Sequence, residues 1–127
     1  ILKQIQKALA NFPELEFAML FGSLASGKAN DRSDLDLAVM AGKPLDAEAK
    51  IKLIGALANK TGRSIDLIDF RAVGQPLLNE IIKNGKIIIK NETIYANLMV
   101  KNIFDNEDFL PYRNRILEER REAWISK

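Results

Sequence analysis

The 127-residue chain contains no cysteine and no histidine. The first absence excludes disulfides and thiolate metal sites, and the second removes the commonest general base and the commonest transition-metal ligand. Any proton acceptor or metal ligand is therefore expected to be a carboxylate. Long hydrophobic runs are also missing: no stretch approaches twenty apolar residues, and no basic-then-apolar leader is visible. Neither a membrane span nor a secretory signal is expected, and a cytoplasmic location is the default. An excess of one charge is lacking too, since 19 Lys and Arg stand against 17 Asp and Glu for a net +2. That balance gives little reason to expect direct nucleic-acid binding, and it makes a nucleotide a better ligand than a duplex. Internal repeats and low-complexity linkers are absent. With 47% hydrophobic and 28% charged residues, the chain suits one compact domain around one core.

Against these absences stands one dense segment. Residues 17–21 form a continuous apolar strand that runs into Gly22-Ser23, and ten residues later comes Asp34-Leu35-Asp36. Carboxylates at i and i+2 of a strand share a face. Two such carboxylates side by side raise each other's pKa, and the usual relief is a shared hard cation. Upstream, Gly22 permits close backbone approach, and Ser23 is placed to cap a short helix whose free N–H groups would face an anion. Taken singly, Gly-Ser is also a common turn and Asp-x-Asp is often the solvated side of an edge strand.

The rest of the chain alternates helices and strands. Leu2, Ile5, Leu9 and Phe12 have helical spacing before Pro13. The second strand places Leu35, Leu37 and Val39 on a packing face and Asp34, Asp36 and Ala38 on a reactive one. Asp46 is the expected N-cap of a helix over 47–60, with Ile51, Ile54, Leu57 and Ala58 as its apolar stripe and Gly62 as its stop. A third strand over 64–70 carries Asp66 and Asp69 on opposite faces. Asp69 shares its face with the core-like Ile65 and Leu67, so Asp66 is the better companion for Asp34 and Asp36. The plainer alternative pairs Asp66 with Arg63 or Arg71. A helix over 77–84, an edge strand over 86–90 and helical segments broken around 108–111 complete the pattern. The last of these, 112–124, is either a solvated helix packed on its own domain or a partner-facing one.

In the contexts Leu20-Phe21-Gly22-Ser23-Leu24-Ala25-Ser26-Gly27 and Ser33-Asp34-Leu35-Asp36-Leu37-Ala38-Val39, the chain resembles nucleotidyltransferases of the DNA polymerase beta superfamily. Within it, the minimal nucleotidyltransferase (MNT) branch is the most similar, and the resemblance covers roughly residues 17–90. It implies an α/β (α+β) fold: a nucleotidyltransferase-like mixed sheet packed against helices, with a core over 1–90 and a C-terminal helical extension over 91–127 of the same domain. It also implies that Asp34, Asp36 and Asp66 are catalytic and hold two Mg2+ ions, Asp66 being the family's third acid. Gly22 and Ser23 would bind the phosphates of ATP. Lys28 and Arg32 would add phosphate contacts or remain exposed loop cations. Many similar sequences have arginine where Ser26 stands, which puts the strength of the phosphate grip in doubt.

So short a chain has little room to wrap a large acceptor. It looks like the antitoxin half of a type VII-like HEPN/MNT toxin–antitoxin pair, for which the resemblance implies transfer of AMP from ATP to a tyrosine of a HEPN ribonuclease toxin. Two alternatives stay open. One is a non-catalytic antitoxin that masks the toxin by binding; the other is a nucleotidyltransferase acting on a small hydroxylated molecule or an RNA end.

Overall fold

The structure, a computed structural model, describes residues 1–30 and 32–105. Its elements run α1 (Leu2–Leu9), β1 (Leu15–Phe21), α2 (Gly22–Ser26), β2 (Leu35–Ala41), α3 (Ala47–Thr61), β3 (Ile65–Asp69), α4 (Leu77–Asn84), β4 (Lys86–Ile89) and α5 (Glu92–Asp105). The strands form one mixed sheet in the order β3-β2-β1-β4. Strand β1 is antiparallel to β2 and β4, whereas β2 and β3 run parallel, joined through α3. This is the expected α/β fold. The expected helix over 112–124 lies outside the described residues.

Period-two alternation sorts the strand residues onto two faces, and both are covered. On one, Ala18, Leu20, Leu35, Leu37 and Val39 pack with Ile5, Ala8 and Leu9 of α1 and Leu53 and Leu57 of α3. On the other, Phe17, Met19, Phe21 and Ala38 pack with Leu78 and Ile81 of α4, Leu98 of α5, and Phe70 and Val73. The expectation that one face of β2 packs while the other reacts is thus corrected: Ala38 is fully buried on the Asp36 face. On that face the half-buried Asp36, next to the first residue of the strand, is left for chemistry.

Helix α3 begins as its sequence demands. Asp46 accepts a hydrogen bond from the Ala49 amide at 2.8 Å, and Gly62 ends the helix at φ 68°. Leu57 of the expected stripe enters the core, but the rotation differs from expectation in that Leu53 is buried with it and Ile51 is 70% exposed. Asp46→Ala is expected to cost about 1 kcal/mol of stability, the usual value of an N-cap. Urea unfolding would measure the loss, and any activity at the distant end of β2 should be unchanged.

Helix α5 is held by polar groups as well as by Leu98. Buried Asn102 accepts from Gln75 Nε2 and donates to Asn79 Oδ1, both at 3.0 Å, while the Asn79 amide donates to Gln75 Oε1 at 3.1 Å. Burying amides is tolerated here because each finds a partner. Phe17 adds a ring stack on Tyr95, with centroids 5.9 Å apart. Gly85 is set by space: a Cβ there would meet Leu20 O at 3.0 Å, so only glycine lets α4 turn directly into β4 against β1.

Candidate active site

Strand register builds the site. Phe21, the last residue of β1, pairs with Asp36, and Asp36 pairs with Asp66 on β3. Residues directly opposite in a ladder share a face, so the two carboxylates stand side by side at one end of the sheet. When protonated, Asp36 can share a hydrogen bond with the Asp66 side chain. The Asp36 carboxyl is held above its ordinary pKa, chiefly by burial, then by the charge of Asp66, by that hydrogen bond, and by the charge of Asp34.

Gly22 follows at once and closes over Asp36. Its φ is 71°, and a Cβ added there would collide with Asp36 Oδ2 and stand 3.0 Å from Cγ. The Gly22 and Asp36 positions are therefore parts of one contact, which explains physically why a glycine at this turn and an acid on the neighbouring strand belong together. Ser23 does not cap α2 as expected. Phe21 occupies the N-cap with extended backbone and no side chain caps the helix, so Ser23 lies within the first turn. The free amides of that turn remain beside the carboxylates. Ser23 also anchors the turn's exit: its carbonyl accepts from Ser26 Oγ at 3.2 Å and from the Lys28 amide at 3.1 Å.

Asp34 differs from expectation. It is exposed and precedes β2 rather than lying in it, because β1 turns away at Gly22 and leaves no partner residue beyond the Phe21–Asp36 pair. Among the described residues no three carboxylates are gathered into a metal-holding group. The donor chemistry nonetheless fits a hard divalent cation, since every donor is a carboxylate oxygen. Asp69 is excluded from the group: it pairs with Val39 at the far end of β3, on the Ile65 face, and accepts a hydrogen bond from the Arg71 amide at 2.9 Å.

The plainer reading of Asp66, an ion pair with Arg63 or Arg71, is not what these arginines do. Arg71 donates to Ala41 O at 2.8 Å, and Arg63 donates to Asn30 O at 2.9 Å and Ser33 O at 2.8 Å. Asp66 stays exposed. Lys28 and Arg32 are exposed on the loop between the two halves of the site. That loop is shaped by its own polar groups: Asn30 Oδ1 accepts from the Arg32 amide at 2.8 Å, and Ser33 Oγ accepts from the Asn30 amide at 2.9 Å. The role of Arg63 has no motif in the sequence; a basic residue beside Asp66 suggests an ion pair first.

Residues 3–94 match the family described as polymerase beta, nucleotidyltransferase. The chain belongs to this family. It is also 36% identical over 109 residues to the protein adenylyltransferase MntA of Shewanella oneidensis, a match covering 86% of this chain and 78% of the relative. A solved toxin–antitoxin structure with AMP-PNP superimposes with a TM-score of 0.75 at 28% identity, covering 93% of this chain and 96% of that one. A second, of a toxin–antitoxin MntA mutant, gives 0.76 at 27% identity and covers 94% and 97%. In that mutant two aspartates, spaced two residues apart as Asp34 and Asp36 are, have been changed to glutamate. Among the described residues no helix is long and apolar enough to cross a membrane.

Proposed function

We propose that this protein is the antitoxin of a HEPN/MNT pair and acts in the cytoplasm as a Mg2+-dependent protein adenylyltransferase, moving AMP from ATP to a tyrosine of its HEPN ribonuclease toxin. The observation that carries the proposal is the paired placement of Asp36 and Asp66 under Gly22, beside the free amides of the α2 turn. The identity to a protein adenylyltransferase and the likeness to a toxin–antitoxin complex with AMP-PNP support it.

In this reading Ser23 and the first-turn amides of α2 hold the β- and γ-phosphates, with Lys28 and Arg32 close enough in sequence to add charge. Asp34, Asp36 and Asp66 would hold two Mg2+ ions, whose charge offsets that of the triphosphate and of the developing leaving group. The tyrosine oxygen attacks the α-phosphorus, the bond to the bridging α–β oxygen breaks, and pyrophosphate leaves. Asp66 takes the phenolic proton. Its exposure suits it to meet an acceptor from outside, whereas half-buried Asp36 is suited to fixing the substrate complex. With no histidine in the chain, a carboxylate is the available base.

Co-expression with the toxin separates this reaction from masking. Wild-type protein is expected to restore growth and suppress ribonuclease activity, and Asp34→Asn to bind the toxin yet fail to neutralise it. Equal neutralisation by both proteins would refute the enzymatic reading in favour of steric inhibition.

A further inference from the structure

The carbonyl that Arg63 holds most closely is that of the Ser33–Asp34 peptide. Its Nη1 donates to Ser33 O at 2.8 Å and to Asn30 O at 2.9 Å, spanning both ends of the turn that precedes Asp34. Arg63 itself sits three residues before Asp66, just ahead of β3. Next to it, Ser64 O accepts from the Leu35 amide at 2.8 Å, so the peptide groups on both sides of Asp34 are tied to the same short segment. Asp34 has no strand partner of its own, since β2 begins at Leu35. What fixes its backbone is this contact and the Asn30–Ser33 turn.

We propose that Arg63 is a positioning residue: through the Ser33 carbonyl it holds Asp34 within reach of Asp36 and Asp66, so that the three carboxylates can close on a divalent cation. The inference rests on the acid-site reading above. Arg63 touches neither substrate nor cation in this scheme. Its charge goes into backbone carbonyls rather than into Asp66, which leaves the carboxylates free of a competing guanidinium. Groups that orient metal ligands commonly matter about 10- to 100-fold in metal affinity.

The fold supplies its own control. Arg71 stands just beyond the other end of β3 and clasps the other end of β2 through Ala41 O, also at 2.8 Å. Arg63 is bonded just before the start of β2 and Arg71 at its end, each through a part-buried hydrogen bond, so Arg63→Gln and Arg71→Gln should both lower the thermal midpoint. Only Arg63 is tied to Asp34.

The test is Mn2+ binding to the full chain, measured by electron paramagnetic resonance without nucleotide, alongside thermal unfolding. Wild type is expected to bind Mn2+, Arg63→Gln to bind it about 10-fold more weakly, and Arg71→Gln to stay within about twofold of wild type. Equal affinity in wild type and Arg63→Gln would overturn the positioning role while leaving the acid site standing. Equal weakening in both variants would overturn it in favour of general loosening of the β2–β3 pair. No Mn2+ binding by wild type would overturn the acid-site reading and this inference together.

Discussion

Asp36→Asn is expected to abolish AMP transfer while making the protein more stable at neutral pH. The activity loss follows from removing the carboxylate that lies between Gly22 and Asp66. Electrostatic support for a phosphoryl oxygen is worth several kcal/mol, which corresponds to about a thousandfold in rate or more. The stability gain follows from the raised pKa of the same group. Folding favours its protonated form, so the native state binds more protons than the unfolded chain between the unfolded and folded pKa values. Stability linked to Asp36 is therefore full below the unfolded pKa, falls as pH rises through the folded pKa, and stays low at neutral pH. Asparagine is neutral throughout and removes this penalty. Thermal unfolding across pH should show the variant gaining on wild type from acidic to neutral pH, without added divalent cation. A parallel pair of curves would show that the Asp36 carboxylate carries no such strain.

The second large effect is expected at Gly22, and Gly27 calibrates it. Both have positive φ, 71° and 76°. Alanine in that region costs about 1–2 kcal/mol from backbone geometry alone. At Gly27 nothing lies within 4 Å of an added Cβ, so Gly27→Ala should lose stability by that amount and keep its activity per folded molecule. At Gly22 the same Cβ would strike the Asp36 carboxylate, which would have to move to make room for it. Gly22→Ala should lose stability and, through displacement of Asp36, about a hundredfold in rate as well. Turnover measured on protein that is folded at the assay temperature separates the two variants. Similar turnover in both would mean that the Gly22–Asp36 contact serves the turn alone.

These contacts show where the sequence was readable. Alternation in Leu35, Leu37 and Val39 sets the faces of β2, the shorter Ile65-Asp66-Leu67 pattern sets those of β3, and the phase argument that puts Asp66 on the Asp36 side agrees with their pairing. The caps of α3 were legible because Asp46 and Gly62 act locally. Its rotation was not: Ile51, Leu53, Ile54 and Leu57 offer more apolar positions than one stripe needs, and packing against β2 and α1 decides among them. Alternation extends to Asp34 and predicts it within the strand, yet strand ends depend on a neighbour, and β1 ends at Phe21, opposite Asp36. The contacts of Arg63 link it to residues 30 and 33 positions away, a distance no local pattern reports. The Gln75–Asn79–Asn102 network was invisible for the same reason.

The central claim is transfer of AMP to the partner, and intact-mass spectrometry of the purified toxin tests it most directly. After incubation with this protein, ATP and Mg2+, the toxin's mass should rise by whole AMP units located on tyrosine, and it should not change when Asp36→Asn replaces wild type. A toxin that is neutralised by the wild-type protein while its mass stays unmodified would contradict the account.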